Sequence, residues 1–290
     1  MKRILLFALI AIPFMAFGQN AYDYYGEKVQ LEAHYFQSKN IGKLQGDKKQ
    51  LYQGMDIYNG FLVSTQSSGI ITIYNIQNSG LEKEKQLKLS FFSKTANAYN
   101  VTFGLKKISD DDMLPLIYVS GNNGTLYVEQ VEKKFKNVQC VQTISLQNTQ
   151  AKNVIWAIDK ENDFLYAFCT LKNGVHQILR FSVPEINESL QDVKLKSADA
   201  LEAYTIEDYY QGKSINSANG IYINNGQMFI TCGAGSQKDA SRLLIWDIYG
   251  KMMRNMIDLS TATRDKLTSC SVYDGALFVQ SQGSIYKLIF

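Results

Sequence analysis

Histidine is nearly absent from this sequence, with only His34 and His176 among its 290 residues. The two lie in unrelated predicted strands and have no partner at the spacing of a metal ligand. The sequence therefore argues against a zinc centre, and it has no well-placed histidine for a Ser-His-Asp triad. We predict neither a metal nor a cofactor.

Charge of one sign is also lacking. Thirty basic residues face 27 acidic ones, a formal net charge of +3. The densest lysine groups, Lys83 to Lys88 and Lys133 to Lys136, are interleaved with glutamate or lie beside it, which is typical of the solvated face of an edge strand. This balance disfavours nucleic acid and membrane surfaces as partners.

Cysteine is sparse, and the four present are Cys140, Cys169, Cys232 and Cys270. An even number permits disulfides in an exported chain. However, Cys169 and Cys232 occupy similar repeat positions in separate blades, too far apart for the roughly 7 Å Cα separation that a bridge needs. A Cys232–Cys270 bridge stays open as an alternative, but the pattern favours buried thiols without a redox motif.

A long hydrophobic run is missing everywhere except at the start. Met1-Lys2-Arg3 precedes an apolar stretch from Ile4 to Phe17, and small residues stand near its end at Ala16 and Gly18. The stretch is too short for a membrane span and has the layout of a secretory signal peptide, with cleavage expected after Gly18. We therefore expect residues 19–290 to form one exported domain, in the periplasm or at the surface of a Gram-negative bacterium, with no integral membrane segment after cleavage.

Against three prolines stand 18 tyrosines and 15 phenylalanines, an enrichment that favours strands. Gly54 to Ile76 predicts three strands in a row, joined by the hairpin signal Asn59-Gly60 and by a turn that closes at Gly69. The same pattern recurs in four further copies, which begin at Val101, Val154, Gly220 and Ser271.

One more charged, alternating segment follows each of the first four copies: Lys85 to Phe92, Val138 to Leu146, Val193 to Ile206 and Met252 to Leu259. Four strands in about 50 residues is the repeat of a β-propeller blade. The fifth copy lacks its fourth strand, and Lys28 to Phe36 has no blade of its own. We predict an all-β, five-bladed propeller of four-stranded antiparallel blades, closed by this N-terminal strand. Six blades are the alternative if Tyr22 to Tyr52 contains a degenerate blade.

Several short motifs carry a family resemblance. Leu243 to Ile248, with Trp246-Asp247, resembles the third strand of a WD-type blade without its Gly-His half. Gly54 to Ile76 resembles the repeats of exported bacterial propellers, whose blades end in a valine-isoleucine-aspartate-like strand. The Gln-Gly pairs at Gln53-Gly54 and Gln211-Gly212 resemble those of secreted bacterial propellers. The resemblance implies the fold and export, but no catalytic residue, because propellers with one architecture differ in activity.

Ligands of propellers usually lie at one mouth of the central channel, near the start of each inner strand. The residues predicted there are Tyr52, Gln53, Asp56, Asn97, Asn100, Asn153, Trp156, Gln211, Asn219, Ser269 and Ser271. Of these, we predict that six bind the ligand: Gln53, Asp56, Asn100, Trp156, Gln211 and Asn219. Amides with an aromatic platform suit neutral polar ligands, such as a glycan or a peptide. The alternative is that these amides satisfy backbone groups where the strands converge.

The sequence leaves three functions open. A non-enzymatic module that binds a glycan or peptide is favoured, because the mouth has amides and aromatics but no acid–base pair. A glycoside hydrolase would need Asp56 and a second carboxylate, yet the acidic turns Ser109 to Asp112 and Asp159 to Asp163 are predicted on the opposite face. A structural scaffold that binds other envelope proteins is the third. The run Asp110 to Asp112 is interpreted as a solvated turn rather than a cation site.

Overall fold

The computed structural model describes residues 36–76, 80–147, 149–187, 189, 191–206, 215 and 218–289. It also gives the backbone of four two-residue strands, at 22–23, 28–29, 209–210 and 213–214. The described chain is built of strands, with three single-turn 3₁₀ helices at Asn122–Gly124, Lys133–Phe135 and Ser197–Asp199. None of the helices within these ranges is long and apolar enough to cross a bilayer.

Three strands precede the first blade: β1 (Tyr22–Asp23), β2 (Lys28–Val29) and β3 (Gln37–Lys43). Blade 1 contains β4 (Tyr52–Tyr58), β5 (Phe61–Gln66), β6 (Ile70–Asn75) and β7 (Glu82–Lys88). Blade 2 contains β8 (Val101–Phe103), β9 (Ile117–Ser120), β10 (Thr125–Val131) and β11 (Val138–Gln147). Blade 3 contains β12 (Ala151–Asp159), β13 (Phe164–Leu171) and β14 (His176–Ser182), then β15 (Asp192–Lys196) intervenes before its last strand, β16 (Glu202–Ile206).

A small hairpin, β17 (Tyr209–Tyr210) and β18 (Lys213–Ser214), separates blade 3 from blade 4. Blade 4 contains β19 (Ala218–Asn224), β20 (Gln227–Cys232), β21 (Arg242–Asp247) and β22 (Met252–Asp258). Blade 5 contains β23 (Leu267–Tyr273), β24 (Ala276–Ser281) and β25 (Ser284–Ile289), and β3 is its fourth strand. The five-bladed propeller predicted from the repeats is confirmed.

Tight turns set the register of three inner hairpins. Asn59-Gly60, Asn225-Gly226 and Asp274-Gly275 all have positive φ at both residues, as a two-residue type I′ turn requires. Such turns have a backbone twist that matches that of the flanking strands. For this reason the Asn-Gly and Asp-Gly pairs predicted these hairpins correctly.

The ring is closed by an N-terminal strand, as predicted, but by a different segment. Gln37–Lys43 pairs antiparallel with β25, with Lys39 opposite Lys287. The segment expected in this place began at Lys28, and its first two residues instead pair with Tyr22–Asp23. Residues 30–35 lie outside the described part of the chain. The outermost strand of a blade is solvated, so apolar alternation is a poor guide to which segment occupies it.

Blade 2 departs from the predicted strand count. The segment Val193 to Ile206, expected as one interrupted outer strand of blade 3, contributes to two blades. Asp192–Lys196 pairs parallel with β11 and becomes a fifth strand of blade 2. Glu202–Ile206 pairs antiparallel with β14 and completes blade 3. This segment therefore ties blades 2 and 3 together at the rim.

Five apolar clusters fill the five interfaces between adjacent blades. The cluster between blades 5 and 1 includes Met55, Tyr74 and Phe278, so the seam of the ring is packed like the other interfaces. At about 25 cal/mol for each Å² of buried apolar surface, packing of both faces of every blade is the main stabilising term of such a fold.

All four cysteines are free thiols. The Cys232–Cys270 bridge is therefore not formed in this structure, and the interpretation as thiols holds. Burial raises the pKa of Cys169 and of Cys232 to about 12, so neither thiol is activated as a nucleophile.

Candidate functional site

The inner strands β4, β8, β12, β19 and β23 line the central channel. At two positions the backbones of neighbouring blades approach so closely that a side chain would not fit between them. A Cβ atom on Gly54 would lie 2.5 Å from the carbonyl oxygen of Tyr99 in blade 2. A Cβ on Gly220 would lie 2.5 Å from the carbonyl oxygen of Thr268 in blade 5. Glycine at these two positions therefore allows the strands to converge.

Serine hydroxyl groups join neighbouring inner strands. The Met55 N–H donates to Oγ of Ser269 at 3.0 Å, and the Ile57 N–H donates to Oγ of Ser271 at 3.2 Å, both across the seam between blades 5 and 1. Between blades 2 and 3, the Trp156 N–H donates to Oγ of Ser120 at 3.0 Å. These short hydroxyl side chains satisfy inward-facing backbone groups that no ladder partner reaches.

Asn100 connects three blades across the channel. Its Nδ2 donates to the carbonyl oxygens of Trp156 at 3.0 Å and Ile221 at 2.8 Å, so one side chain from blade 2 links blades 3 and 4. The residue is fully buried. Its contacts match the alternative reading of the channel amides, in which they satisfy backbone groups.

The other residues predicted at the mouth are placed unevenly. Asn219 is half-buried and donates to the carbonyl oxygens of Gly233 and Leu267, and Gln53 is buried. The side chain of Trp156 is fully buried between blades 2 and 3, where Nε1 donates to the carbonyl oxygen of Gly124, so its ring is no platform for a channel ligand. Gln211 lies outside the described residues. Ligand binding at the exposed remainder of this mouth stays a prediction.

The polar centre of the channel is Asp56, which is fully buried. Oδ1 accepts from the Ile57 N–H and from Oγ of Ser271, both at 2.7 Å. Oδ2 accepts from the Phe103 N–H and from Nζ of Lys160, also both at 2.7 Å. The carboxylate thus accepts hydrogen bonds from residues of blades 1, 2, 3 and 5, and each of its oxygens has two donors.

Lys160 contacts Asp56 from the end of the channel opposite the predicted mouth. It follows β12, in the turn that joins the first and second strands of blade 3, and its side chain is 23% exposed whereas that of Asp56 is 0% exposed. Its Nζ lies 5.2 Å from the ring centre of Tyr222 and 5.8 Å from that of Phe103. We call this end, formed by the turns between first and second strands, the hairpin end.

The rings at the hairpin end form one connected group. Phe103 lies 5.7 Å from Tyr58, ring centre to ring centre. The Tyr222 hydroxyl donates to the carbonyl oxygen of Val272 at 3.4 Å, and its pKa is raised by burial and by the negative charge of Asp56. Tyr222 therefore stays a neutral hydrogen-bonding group beside the ion pair.

Lys160 is the functional residue that the sequence did not reveal. It stands in an acidic turn, Asp159 to Asp163, which was expected on the face opposite the mouth. That position is correct, but the side chain extends inward to a partner 104 residues away. The only available signal was a single lysine among acids, directly after the inner strand β12.

A second carboxylate facing Asp56, which a glycosidase needs, is not among its described contacts. Asp159 is nearby in the chain, but it accepts from the Glu161 and Asn162 backbone N–H groups and from Asn162 Nδ2, and so it closes its own turn. Because donors of the protein fill its four acceptor positions, Asp56 makes a poor general base.

No group of three or more metal-binding side chains occurs among the residues that the structure describes. In the acidic run, Asp111 pairs with Lys133 at 2.6 Å, whereas Asp112 accepts from the Ser109 N–H and from Gln130 Nε2. These two carboxylates have protein partners of their own. His176 is buried, and its Nδ1 lies 3.2 Å from Oγ1 of Thr170.

Comparison with known proteins supports the architecture. No family profile matches the sequence. No curated protein matches it either. Among solved structures, the fold is similar to that of a glutaminyl cyclase from Myxococcus xanthus, with a TM-score of 0.57 and 12% identity over 87% of this chain and 95% of that one. It is also similar to the tail fiber of Staphylococcus aureus phage P68, with a TM-score of 0.53 and 12% identity over 89% of this chain and 53% of that one. At such identities the likeness shows the fold alone.

Proposed function

We propose that this protein is a non-enzymatic binding module that takes a neutral polar ligand, a glycan or a peptide backbone, at the hairpin end of its channel. The observation that carries the proposal is the position of Lys160. Its side chain is partly exposed, and its ammonium group lies beside the rings of Tyr222 and Phe103 and pairs with the buried Asp56.

The donors of Lys160 explain the choice of ligand. An ammonium has three N–H donors, and within the described residues its hydrogen bond goes to Asp56 alone. The others can donate to a hydroxyl or carbonyl oxygen of a ligand. Because the ion pair has no net charge, it gives a charged ligand no electrostatic advantage. The half-buried ring of Tyr58, which lies next to Phe103, offers contact area to the apolar face of a sugar or peptide.

The filled acceptor positions of Asp56 favour binding over hydrolysis. Proton abstraction would require a free lone pair that faces the substrate. The four hydrogen bonds to Asp56 come from within the protein. Their role is to hold the ammonium of Lys160 in place.

The test is a screen of glycan and peptide arrays, followed by titration calorimetry with the best ligand. Lys160→Met keeps the length of the side chain and removes its donors, and we expect affinity to fall about tenfold or more. Lys160→Arg, which retains the charge, checks that the loss does not come from misfolding, and the exposed Lys85→Met is the matched control. Equal affinity of the wild type and Lys160→Met, or silence across both arrays, would overturn the proposal.

A second candidate is an enzyme like the structural neighbour from Myxococcus xanthus, a glutaminyl cyclase. The observation in its favour is a partly exposed amine next to a buried carboxylate at a channel end. It predicts cyclisation of peptides with an N-terminal glutamine, seen as loss of ammonia by mass spectrometry. A lack of turnover by the folded protein would leave the binding module as the account of this site.

We also propose that the protein is exported from a Gram-negative cell and acts in its envelope. The support is the basic start and short apolar run that end at Gly18. N-terminal sequencing of the protein from its natural host should begin at Gln19. A product that retains Met1 would contradict this expectation.

A further inference from the structure

We propose that a groove at the seam between blades 5 and 1 binds a small organic monocarboxylate with an apolar body. The groove has a volume of about 330 Å³, at the lower end of the range for ligand pockets. The residues that argue for the ligand are Lys39, Ile41, Ile76, Asp274, Phe278 and Lys287. The proposal is independent of the channel and does not rest on the function proposed for Lys160.

Two lysines line the groove. Lys39 on the closing strand and Lys287 on β25 are directly opposite in the antiparallel ladder. Like charges in this position repel and destabilise the strand pair. Neither lysine takes part in an ion pair among the described residues. An anion between the two ammonium groups would remove that repulsion.

The floor of the groove is apolar. Phe278 and Ile76 are almost fully buried, at 5% and 9% exposure, and Ile41 is half-buried beside them. Nζ of Lys287 lies 5.8 Å from the centre of the Phe278 ring, so the cation borders the apolar surface. A ligand that contacts both therefore needs an anionic head joined directly to an apolar body.

Asp274 sets the charge of the ligand. It lines the same groove, so two positive charges and one negative charge leave a net charge of +1. A monocarboxylate matches this charge, whereas a phosphate or phosphonate dianion exceeds it and is repelled by Asp274. The short alkyl or aryl acids are the compounds that combine this charge with a body small enough for the volume.

The experiment measures binding of hexanoate to the purified full-length chain by titration calorimetry and by the rise in melting temperature. Hexanol, which lacks the charge, and hexylphosphonate, which carries more of it, are the matched probes. We expect hexanoate to bind and stabilise, and the other two to bind about tenfold more weakly or not at all. The double variant K39Q/K287Q should lose about tenfold or more in hexanoate affinity.

A control separates this site from general effects of charge. Lys85→Gln alters an exposed lysine on the outer strand of blade 1, and this variant should bind hexanoate as the wild type does. Equal binding by K39Q/K287Q, or tighter binding of hexanol or hexylphosphonate, would overturn the proposal. So would a lack of hexanoate binding. A peptide with a free C-terminal carboxylate, compared with its amide, tells whether the acid comes from a chain terminus or from a free small molecule.

Discussion

At the scale of single residues, the buried carboxylate of Asp56 is the most constrained group in the channel. Four donors at 2.7 Å fill its acceptor positions, and one of them is a cation. Residues from blades 1, 2, 3 and 5 are thereby joined at one side chain. Removal of its charge affects several blades at once.

Asp56→Asn should destabilise the protein by about 3 kcal/mol, because an amide turns two donors toward other donors and leaves Lys160 without a counter-charge. Chemical denaturation measures the change. Asp110→Asn, at an exposed turn position, is the matched control and should lie within about 0.5 kcal/mol of the wild type. If the two variants are equally stable, the carboxylate does not hold the channel together.

A second residue-scale prediction concerns pH. Glu129 is fully buried, its Oε1 accepts from the Ser90 N–H and hydroxyl, and burial raises its pKa above 4.5. The folded state therefore binds more protons than the unfolded state from pH 4.5 up to the raised value. The stability that Glu129 contributes is fully present below this window and is lost as pH rises through it.

Glu129→Gln does not titrate, so the variant should gain stability relative to the wild type between about pH 4 and about pH 7.5. Denaturant midpoints at the two pH values give the difference. Glu84→Gln, on the exposed outer strand of blade 1, should show no such trend. A constant difference between Glu129→Gln and the wild type would show that the carboxyl group titrates alike in both states.

At the scale of elements, the closing strand shows where sequence patterns stop being informative. Gln37–Lys43 is mostly exposed, and of its side chains Ile41 packs against the seam cluster. The sequence instead predicts Lys28 to Phe36 as the closing strand, because that segment precedes the first copy and has no blade of its own. A rim strand is selected by its ladder with β25 rather than by hydrophobic burial, so its identity could not be read from apolar alternation.

Truncation tests this element. A chain that begins at residue 36 should keep its stability, whereas one that begins at residue 44 loses the partner of β25 and about 3 kcal/mol or more. For a domain of this size, that loss lowers the melting temperature by about 6–12 °C. The exposed edge should also promote association, visible by size-exclusion chromatography.

A chain that begins at residue 44, is monomeric and has the same melting temperature as the chain that begins at residue 36 would contradict this prediction. In that case the ring would not depend on Gln37–Lys43 for closure. A loss of stability already at residue 36 would place the essential contact upstream of β3 instead.

At the scale of the whole molecule, the number of blades followed from the sequence, because the inner strands repeat the same apolar pattern and the Asn-Gly and Asp-Gly turns mark their ends. The contacts within the candidate site could not be predicted as well from the sequence. Asp56 and Asn100 were recognised as channel residues, but most of their partners belong to other blades. Asn100 contacts the carbonyl of Ile221, 121 positions away, and such contacts exist only once the ring has closed.

The same reasoning explains the error at Trp156. Successive side chains of an inner strand alternate between the two neighbouring blade interfaces, so Ile155 packs between blades 3 and 4 and Trp156 packs between blades 2 and 3. The local pattern placed a tryptophan near the channel. The fold directs its ring into the apolar cluster between blades 2 and 3.

Amide hydrogen exchange is the measurement that tests the closed ring most directly. The Met55 and Ile57 amides bond across the seam, the Phe103 amide bonds to Asp56, and the Trp156 amide bonds across blades 2 and 3. If the inner strands form one continuous unit, these four amides exchange with the same opening free energy, equal to that of global unfolding. Fast exchange of Met55 and Ile57 beside a protected Trp156 would show that the seam opens by itself, and would contradict a ring latched by Gln37–Lys43.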